Sequence, residues 1–225
     1  MTAGMASGMA SGEADGPGWV VLGAGGHARS VVDVLERAGH TVVAVAGAAP
    51  AGEPWHVDVL ADDRAAFELV AAEGLHAVVA IGANPARARL VGELVARGLS
   101  VPPVVAATAT VSPRSVLGAG CVVLEHAHVG PASRLGDAVV VNTAAVVEHD
   151  CTVGAGTHVA PGAVLLGAAS VGEVTLVGSG ARVLPGVTVG AGVTVGAGAV
   201  VTAHVADGQT VVGVPAAPRP TGGTA

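Results

Sequence analysis

Aromatic residues are almost absent from this 225-residue sequence, which has one Phe, two Trp and no Tyr. A core without aromatic rings must be filled by Val, Leu and Ala, and these side chains suit a regular stack of short segments better than an irregular globule. Basic residues are also scarce, ten against 17 acidic ones, and they form no cluster. We therefore expect no nucleic-acid partner.

Cysteines and long apolar runs are few as well. Cys121 and Cys151 are the only two cysteines, too few to indicate a disulfide framework. The apolar runs have the length of strands, and residues 1–18 have no cation ahead of an apolar run, so neither a membrane span nor a signal peptide is predicted. We expect a cytoplasmic protein without a membrane partner, with a disordered leader at 1–18 and a tail at 219–225.

Between residues 19 and 106, short β-branched runs alternate with helical patterns. This alternation predicts a small Rossmann-like α/β domain with a parallel sheet. The predicted elements are, in chain order, a strand at 19–22, a helix at 27–37, a strand at 41–46, a helix at 64–73, a strand at 76–81, a helix at 86–97 and a strand or extended link at 101–106.

The turn after the first predicted strand, Gly23 to Ala28, reads G-x-G-x-x-A. Such a turn can hold a phosphate at the N-terminus of the following helix. A dinucleotide site also needs an acid about 20 residues later. Ala46-Gly47-Ala48 occupies that position, so an NAD site is disfavoured. Nucleotide binding through phosphates alone and a purely structural turn both remain open.

The second half of the chain has a period of six residues. Every sixth residue from Val111 to Val201 is Val or Leu, and the residue four positions later is small, from Ser115 to Ala199. Six residues fit one short strand and one turn, and three such units close a coil that stacks on the next at about 4.8 Å. Residues 107–218 are therefore predicted to form a parallel β-helix domain of about five coils, with both cysteines packed inside.

Two polar segments interrupt this pattern, one from Asn142 to Asp150 and one around His158. His149 and Gly167 differ by 18 positions, which predicts the same side of adjacent coils. His149 and His158 differ by nine, half a coil, and should lie on different sides of one prism. One subunit cannot easily bring both histidines to one substrate, whereas a trimer of parallel prisms can.

These segments resemble one family when they are taken with Gly23–His27, with Ala80–Asn84 followed by Arg87, and with the closing Val212–Ala216. The family is that of the sugar O- or N-acetyltransferases of the sialic-acid O-acetyltransferase and UDP-4-amino-sugar N-acetyltransferase type. The resemblance covers about residues 19–218. It implies a left-handed β-helix of hexapeptide repeats, acetyl-CoA as cosubstrate, a homotrimer, a sugar substrate and no metal.

The resemblance also implies roles for individual residues. His149 would be the general base, Asp150 would orient its imidazole, and the Gly167 N–H would stabilise the oxyanion. His158 would contact acetyl-CoA at the subunit interface, with Ser179 and Ala197 along the pantetheine path. The residues implied for the sugar substrate and its nucleotide are Gly25, Gly26, His27, Gly82, Asn84 and Asn142.

The sequence departs from the family after the second predicted strand, where the usual acidic pair is replaced by Ala46-Gly47. This departure disfavours a UDP-linked substrate and leaves a different nucleotide sugar, a free sugar or an antibiotic-like amine open. Whether the acceptor is an amine or a hydroxyl also stays open, because a histidine base serves both.

Three other functions compete with this one. An acyltransferase for acceptors such as serine or maltose is disfavoured by the α/β domain in front of the β-helix. A non-catalytic β-helix that only binds or scaffolds is disfavoured by the adjacent His149 and Asp150. A γ-type carbonic anhydrase, a zinc lyase, would need a pair of histidines spaced as H-x-x-x-x-H, and the sequence has none.

Overall fold

The computed structural model describes residues 16–48 and 54–219. Most of the predicted leader and the predicted tail beyond Arg219 lie outside the described residues. The first part of the chain is an α/β unit. Its elements are β1 (Trp19–Leu22), α1 (Gly26–Arg37), β2 (Val42–Ala46), β3 (Asp58–Leu60), α2 (Asp63–Glu73), β4 (His76–Val79) and α3 (Asn84–Ala96).

The four strands of this unit form one parallel sheet in the order β3-β2-β1-β4. The predicted helices and strands are confirmed to within a few residues. The edge strand β3 was not predicted, because three largely exposed residues carry neither an apolar run nor an alternation. Gly23 follows β1 with φ +119°, and a Cβ there would lie 2.5 Å from the Ala80 carbonyl oxygen. Only glycine fits between the ends of β1 and β4.

The rest of the chain confirms the predicted left-handed β-helix, whose strands of two or three residues pair with the strands 18 positions away over most of its length. The strands are β5 (Val104–Val105), β6 (Thr110–Val111), β7 (Val116–Leu117), β8 (Val122–Val123), β9 (His128–Val129), β10 (Arg134–Leu135), β11 (Val140–Val141), β12 (Val146–Val147), β13 (Thr152–Val153), β14 (His158–Val159), β15 (Val164–Leu165), β16 (Ser170–Val171), β17 (Leu176–Val177), β18 (Arg182–Val183), β19 (Thr188–Val189), β20 (Thr194–Val195), β21 (Val200–Val201), β22 (Thr210–Val212) and β23 (Ala217–Pro218).

The strands make three flat faces. Face 1 runs β5-β8-β11-β14-β17-β20-β22, with β23 added antiparallel at its end. Face 2 runs β6-β9-β12-β15-β18-β21, and face 3 runs β7-β10-β13-β16-β19. From β5 to β21 the chain passes repeatedly from face 1 to face 2 to face 3, so residues 18 apart stack on the same face or at the same corner.

The interior of the prism is filled by the two columns seen in the sequence. The Val and Leu residues from Val123 to Val201 are buried, and so are the small residues at the corners. Both cysteines lie in the small column, fully buried, and burial raises the pKa of the Cys121 thiol to about 12. Their predicted packing role is confirmed.

The α/β unit packs on face 1. Val31 and Leu35 of α1 share one apolar cluster with Val104, Val122 and Val140 on the outside of that face. Burial of this apolar surface stabilises the contact between α1 and the first coils by roughly 25 cal/mol for each Å² removed from water. The contact brings the N-terminal end of α1 next to the polar residues of β14.

Candidate active site

His149 lies at the corner between face 2 and face 3, in the turn that joins β12 to β13. Its side chain is 59% exposed, and its Nδ1 lies 2.8 Å from Oδ2 of Asp150. A carboxylate only accepts hydrogen bonds, so Nδ1 carries the proton and donates it. The Nε2 lone pair is therefore free to take a proton from a substrate. Asp150 has φ +59°, a left-handed turn position that Asp tolerates better than most residues.

Gly167 lies directly over His149 in the next coil, as the spacing of 18 predicts. A Cβ on Gly167 would lie 2.6 Å from both Cε1 and Nε2 of the imidazole, so only glycine leaves the ring in place. The Ala168 N–H donates to the His149 carbonyl oxygen at 2.9 Å, which holds the two turns together. Within the described part of the chain, no acceptor is found for the Gly167 N–H.

The turn that carries His149 is stabilised by hydrogen bonds to a side chain inside the prism. The buried Ser133 hydroxyl donates to the Glu148 carbonyl oxygen at 2.6 Å and accepts from the Cys151 N–H at 3.1 Å. These two residues flank the His149-Asp150 pair. A buried hydroxyl with both a donor and an acceptor contact stabilises the backbone on each side of the exposed dyad.

His158 lies on face 1, on the side of the prism opposite the His149 corner. Its Nε2 is 2.9 Å from Nδ2 of Asn142. Asn142 Oδ1 accepts from the Thr143 N–H at 2.8 Å, which sets the orientation of the amide. Nδ2 therefore donates to His158, and the imidazole is neutral with its proton on Nδ1.

His27, at the start of α1, stacks on His158 with ring centroids 6.5 Å apart. Its Nε2 is buried and has no hydrogen-bond partner among the described residues. Burial, and then the charge of Arg87, lower the pKa of both His27 and His158 to about 4. The two rings are neutral near pH 7 and can orient a ligand without carrying charge.

Arg87 of α3 joins the α/β unit to the β-helix. Its side chain is fully buried and donates to the carbonyl oxygens of Ala138 and Gly156 in the β-helix, at 2.9 and 2.8 Å, and to that of Ile81 at 3.0 Å. No carboxylate within residues 16–48 and 54–219 forms an ion pair with it. Burial lowers the pKa of Arg87 to about 10. The sequence motif included Arg87, but its contacts with distant carbonyls could not be foreseen.

Asn84 is placed differently from the other residues expected around the nucleotide. Its side chain is buried, donates to the Thr175 carbonyl oxygen at 3.0 Å and accepts from Arg87 at 2.9 Å. It is not among the residues that line the pocket of the α/β unit. Both ends of the Asn84 amide are thus occupied by the contact between the two parts of the chain.

That pocket opens at the carboxyl ends of the strands and has a volume of about 460 Å³. Gly25, Gly26, His27 and Gly82, four of the residues that the resemblance implies for the substrate, line it. A Cβ at Gly25, Gly26 or Gly82 would meet nothing within 4 Å, so the backbone here is open to a ligand. The pocket lining also includes Asp63, which sequence reasoning did not identify. The full lining is Gly23, Ala24, Gly25, Gly26, His27, Ala46, Gly47, Ala48, Asp63, Ala80, Ile81 and Gly82.

Ser179 and Ala197 stack at the corner between face 1 and face 2, joined by a 2.9 Å hydrogen bond from the Gly198 N–H to the Ser179 carbonyl oxygen. Both are exposed. They lie on the His158 side of the prism, and face 2 separates them from His149. The predicted site residues of this chain therefore form two groups, one at the His149 corner and one on the His158 side of the prism.

The described residues contain no group of three or more His, Cys, Asp or Glu side chains that could hold a metal ion. None of the helices in this part of the chain is both long and apolar enough to span a membrane.

A family model described as the PglD N-terminal domain matches residues 19–94, and one described as bacterial transferase hexapeptide (six repeats) matches residues 168–203. The fold and the hexapeptide match define the class of the protein, a transferase built on hexapeptide repeats. A comparison with curated proteins finds no match.

Solved structures give the family. The acetyltransferase domain of PglB from Neisseria gonorrhoeae is 36% identical, with a TM-score of 0.86 over 91% of this chain and 100% of that one. A complex of that domain with acetyl coenzyme A matches with 37% identity and a TM-score of 0.85, with the same coverage. PerB from Caulobacter crescentus, in complex with CoA and GDP-perosamine, is 41% identical, with a TM-score of 0.85 over 90% of this chain and 97% of that one. The chain belongs to the hexapeptide-repeat sugar acetyltransferase family.

Proposed function

We propose that the protein transfers the acetyl group of acetyl-CoA to an amino group of a nucleotide-linked sugar, with His149 as general base. The observation that carries this proposal is the His149-Asp150 pair, whose free Nε2 faces the backbone of Gly167. The amine is chosen because a similar structure is that of a perosamine N-acetyltransferase in complex with CoA and GDP-perosamine.

The proposed reaction is direct transfer. The amine nitrogen attacks the thioester carbonyl carbon, and its proton moves to Nε2 of His149 as the C–N bond forms. The Gly167 N–H, which no described residue uses, donates to the oxyanion. The tetrahedral intermediate then collapses, the C–S bond breaks, and the imidazolium returns its proton to the sulfur of CoA. Asp150 stabilises the imidazolium between these two proton transfers.

The substrate is proposed to enter through the α/β unit. Its diphosphate would lie against the free backbone N–H groups at the N-terminus of α1, where Gly25 caps the helix without a side-chain hydrogen bond. His27 lines the same pocket and stacks on His158. The sugar of a nucleotide bound in the pocket would therefore extend toward His158 and Asn142. Two neutral imidazoles and an amide suit the hydroxyl groups of a sugar.

The site is proposed to be completed by a neighbouring subunit. His149 and Gly167 lie at one edge of face 2, while Ser179 and Ala197 lie at the other. A parallel trimer would place the His149 edge of one subunit against the His158 side of the next, where acetyl-CoA would lie between them. This arrangement accounts for two incomplete groups of functional residues in one chain.

The activity is tested by the release of free thiol from acetyl-CoA in the presence of GDP-, UDP- and dTDP-linked amino sugars, the corresponding free amino sugars, and hydroxyl-only analogues. We expect turnover with at least one nucleotide-linked amine and none with its hydroxyl analogue. Turnover confined to a free sugar or an unrelated amine would overturn the nucleotide-linked substrate. No turnover with any acceptor would overturn both proposed roles, substrate binding by the pocket and catalysis by the His149-Asp150 pair.

The shared site is tested by mixing two inactive variants. His149→Ala removes the base. Ser179→Trp places a large side chain in the proposed acetyl-CoA path, and because Ser179 is exposed the change leaves the core intact. In randomly mixed trimers about one quarter of the wild-type turnover returns, because three in four trimers are mixed and each has one intact site. A mixture that stays as inactive as its components would show that each subunit contains its own complete site.

A further inference from the structure

The pocket of the α/β unit contains a single acidic side chain among its described lining residues, that of Asp63. The positions after β2 that could hold a ribose carry only Ala46, Gly47 and Ala48, without a polar side chain. Among residues 16–48 and 54–219, Asp63 is therefore the one point at which a nucleotide in this pocket can meet a carboxylate. The position of this carboxylate determines which part of a bound nucleotide it contacts.

The strand order locates that point. The glycine turn follows β1, Ala46–Ala48 end β2, and Asp63 begins α2 immediately after β3. The sheet runs β3-β2-β1, so Asp63 lies two strands from the turn that would hold the diphosphate, a distance of roughly 10 Å. A diphosphate over β1 and a ribose over β2 place the base, rather than the sugar, beside Asp63.

Asp63 is free to meet a ligand. Its neighbour Asp62 caps α2 by accepting from the Ala65 N–H at 2.9 Å, so the backbone of the helix is already satisfied. In the described ranges, no side chain or backbone N–H donates to the Asp63 carboxylate. Asp63 is the first residue of α2.

An ionised carboxylate accepts hydrogen bonds and donates none. Guanine is the base whose Watson–Crick edge presents two adjacent donors, N1–H and the N2 amino group, which match the two oxygens. Uracil and thymine present one N–H between two carbonyl oxygens, and adenine presents a donor beside an acceptor. These edges place at least one acceptor against the carboxylate.

We infer that the pocket selects a guanine nucleotide and that Asp63 reads the base through its N1–H and N2 amino group. The inference rests on the proposed function, since a nucleotide-linked substrate is what the pocket is proposed to hold. It makes Asp63 a specificity-determining residue in place of the acidic pair that is missing after β2.

The test is isothermal titration of the full-length protein with GDP, UDP, ADP and dTDP, without acetyl-CoA. We expect GDP to bind about 5-fold to 150-fold more tightly than UDP, the range of discrimination that a two-bond contact with one base edge provides. Asp63→Asn should reduce the affinity for GDP to that for UDP and leave UDP unchanged. The matched control is Asp62→Asn, which removes the neighbouring charge, keeps a good helix cap and should retain the preference for GDP.

Each other outcome overturns the inference. Equal binding of all four nucleotides by the wild-type protein would show that the pocket does not read the base, while the proposed function would stand. An equal loss for all four in Asp63→Asn would place the carboxylate on the ribose. A preference for GDP that survives Asp63→Asn would assign it to another residue. Binding of none of the four would overturn the nucleotide-linked substrate itself.

Discussion

His149 and His158 carry the same side chain nine residues apart, yet their surroundings differ in every respect that governs proton transfer. His149 is exposed and has a carboxylate on Nδ1. His158 is half-buried, accepts a hydrogen bond from Asn142 on Nε2, and lies close to the uncompensated charge of Arg87. The first ring can take up a proton and the second is kept neutral.

This difference shows how a regular repeat produces two kinds of site from one residue type. At a corner the side chain points into solvent, and the next residue in the turn supplies its partner. On face 1 the neighbours come from another part of the chain, because α1 packs on that face and α3 packs at the corner beside it. This contrast supports the proposal that proton transfer takes place at the corner and substrate orientation on the face.

The largest expected effect is on kcat, and it distinguishes His149 from His158. His149→Ala should lower kcat by about 10²-fold to 10⁴-fold, the usual contribution of a general base. His158→Ala should act mainly on KM, because a neutral orienting group contributes to binding. Steady-state kinetics of thiol release measure both, and His126→Ala, at an exposed turn, is the control. A comparable loss of kcat in both variants would remove the distinction.

Gly167→Ala should give the next largest effect. The added Cβ would lie 2.6 Å from the His149 imidazole, so the ring must turn away from its position. A displacement of about 1 Å in a catalytic group costs roughly 10²-fold in rate. We expect such a loss in kcat with little change in the melting temperature, since the side chain faces outward. Wild-type kcat in this variant would mean that the ring position does not matter.

Arg87→Met tests the surroundings of His158, the second histidine of the comparison. It leaves the buried carbonyl oxygens of Ala138 and Gly156 without their donor, which should lower the free energy of unfolding by about 2–4 kcal/mol. The pKa of His158 should also rise toward its ordinary value, because the charge that opposes protonation is gone. Urea unfolding and NMR titration measure the two effects. Arg89→Met, which removes an exposed ion pair, is the control and should change neither.

The smallest effect concerns stability at mildly acidic pH. The pKa values of His27 and His158 are about 4 in the folded protein and about 6.5 when unfolded, so the unfolded chain binds protons that the folded chain does not. Their contribution is fully present above pH 6.5 and is lost as pH falls toward 4. Between pH 7.5 and 5.5 the free energy of unfolding should fall by about 3 kcal/mol.

Urea unfolding at the two pH values measures this loss, and the double variant His27→Gln, His158→Gln is the matched comparison. The variant should lose about 3 kcal/mol less than the wild-type protein over the same interval. An identical pH dependence in both proteins would show that the two rings are not held neutral by the fold.

Periodicity made much of the β-helix and one part of the site predictable. The register from Val111 to Val201 indicated the coil length, the inward columns and the place of Gly167 over His149. These features depend only on residues six or 18 positions apart, so a local pattern reports them. Asp63 was missed because no pattern marks the start of α2 as the wall of a pocket.

Contacts between the two parts of the chain could not be predicted in the same way. Asn84 was expected at the nucleotide and instead bonds to Thr175 and Arg87, since α3 packs against the corner between face 3 and face 1. The stacking of His27 on His158 has the same origin. It depends on how one apolar surface fits another, and spacing along the chain carries no information on that fit.

The sequence by itself determined the repeating coil and the exposed pair of His149 and Asp150, because adjacent residues and a fixed period generate both. Only the tertiary structure decided which face the α/β unit covers, and with it the environment of His158 and the position of Asp63 in the wall of the pocket. The physical reason is that burial and electrostatic neighbours arise from long-range packing, which a six-residue period does not encode.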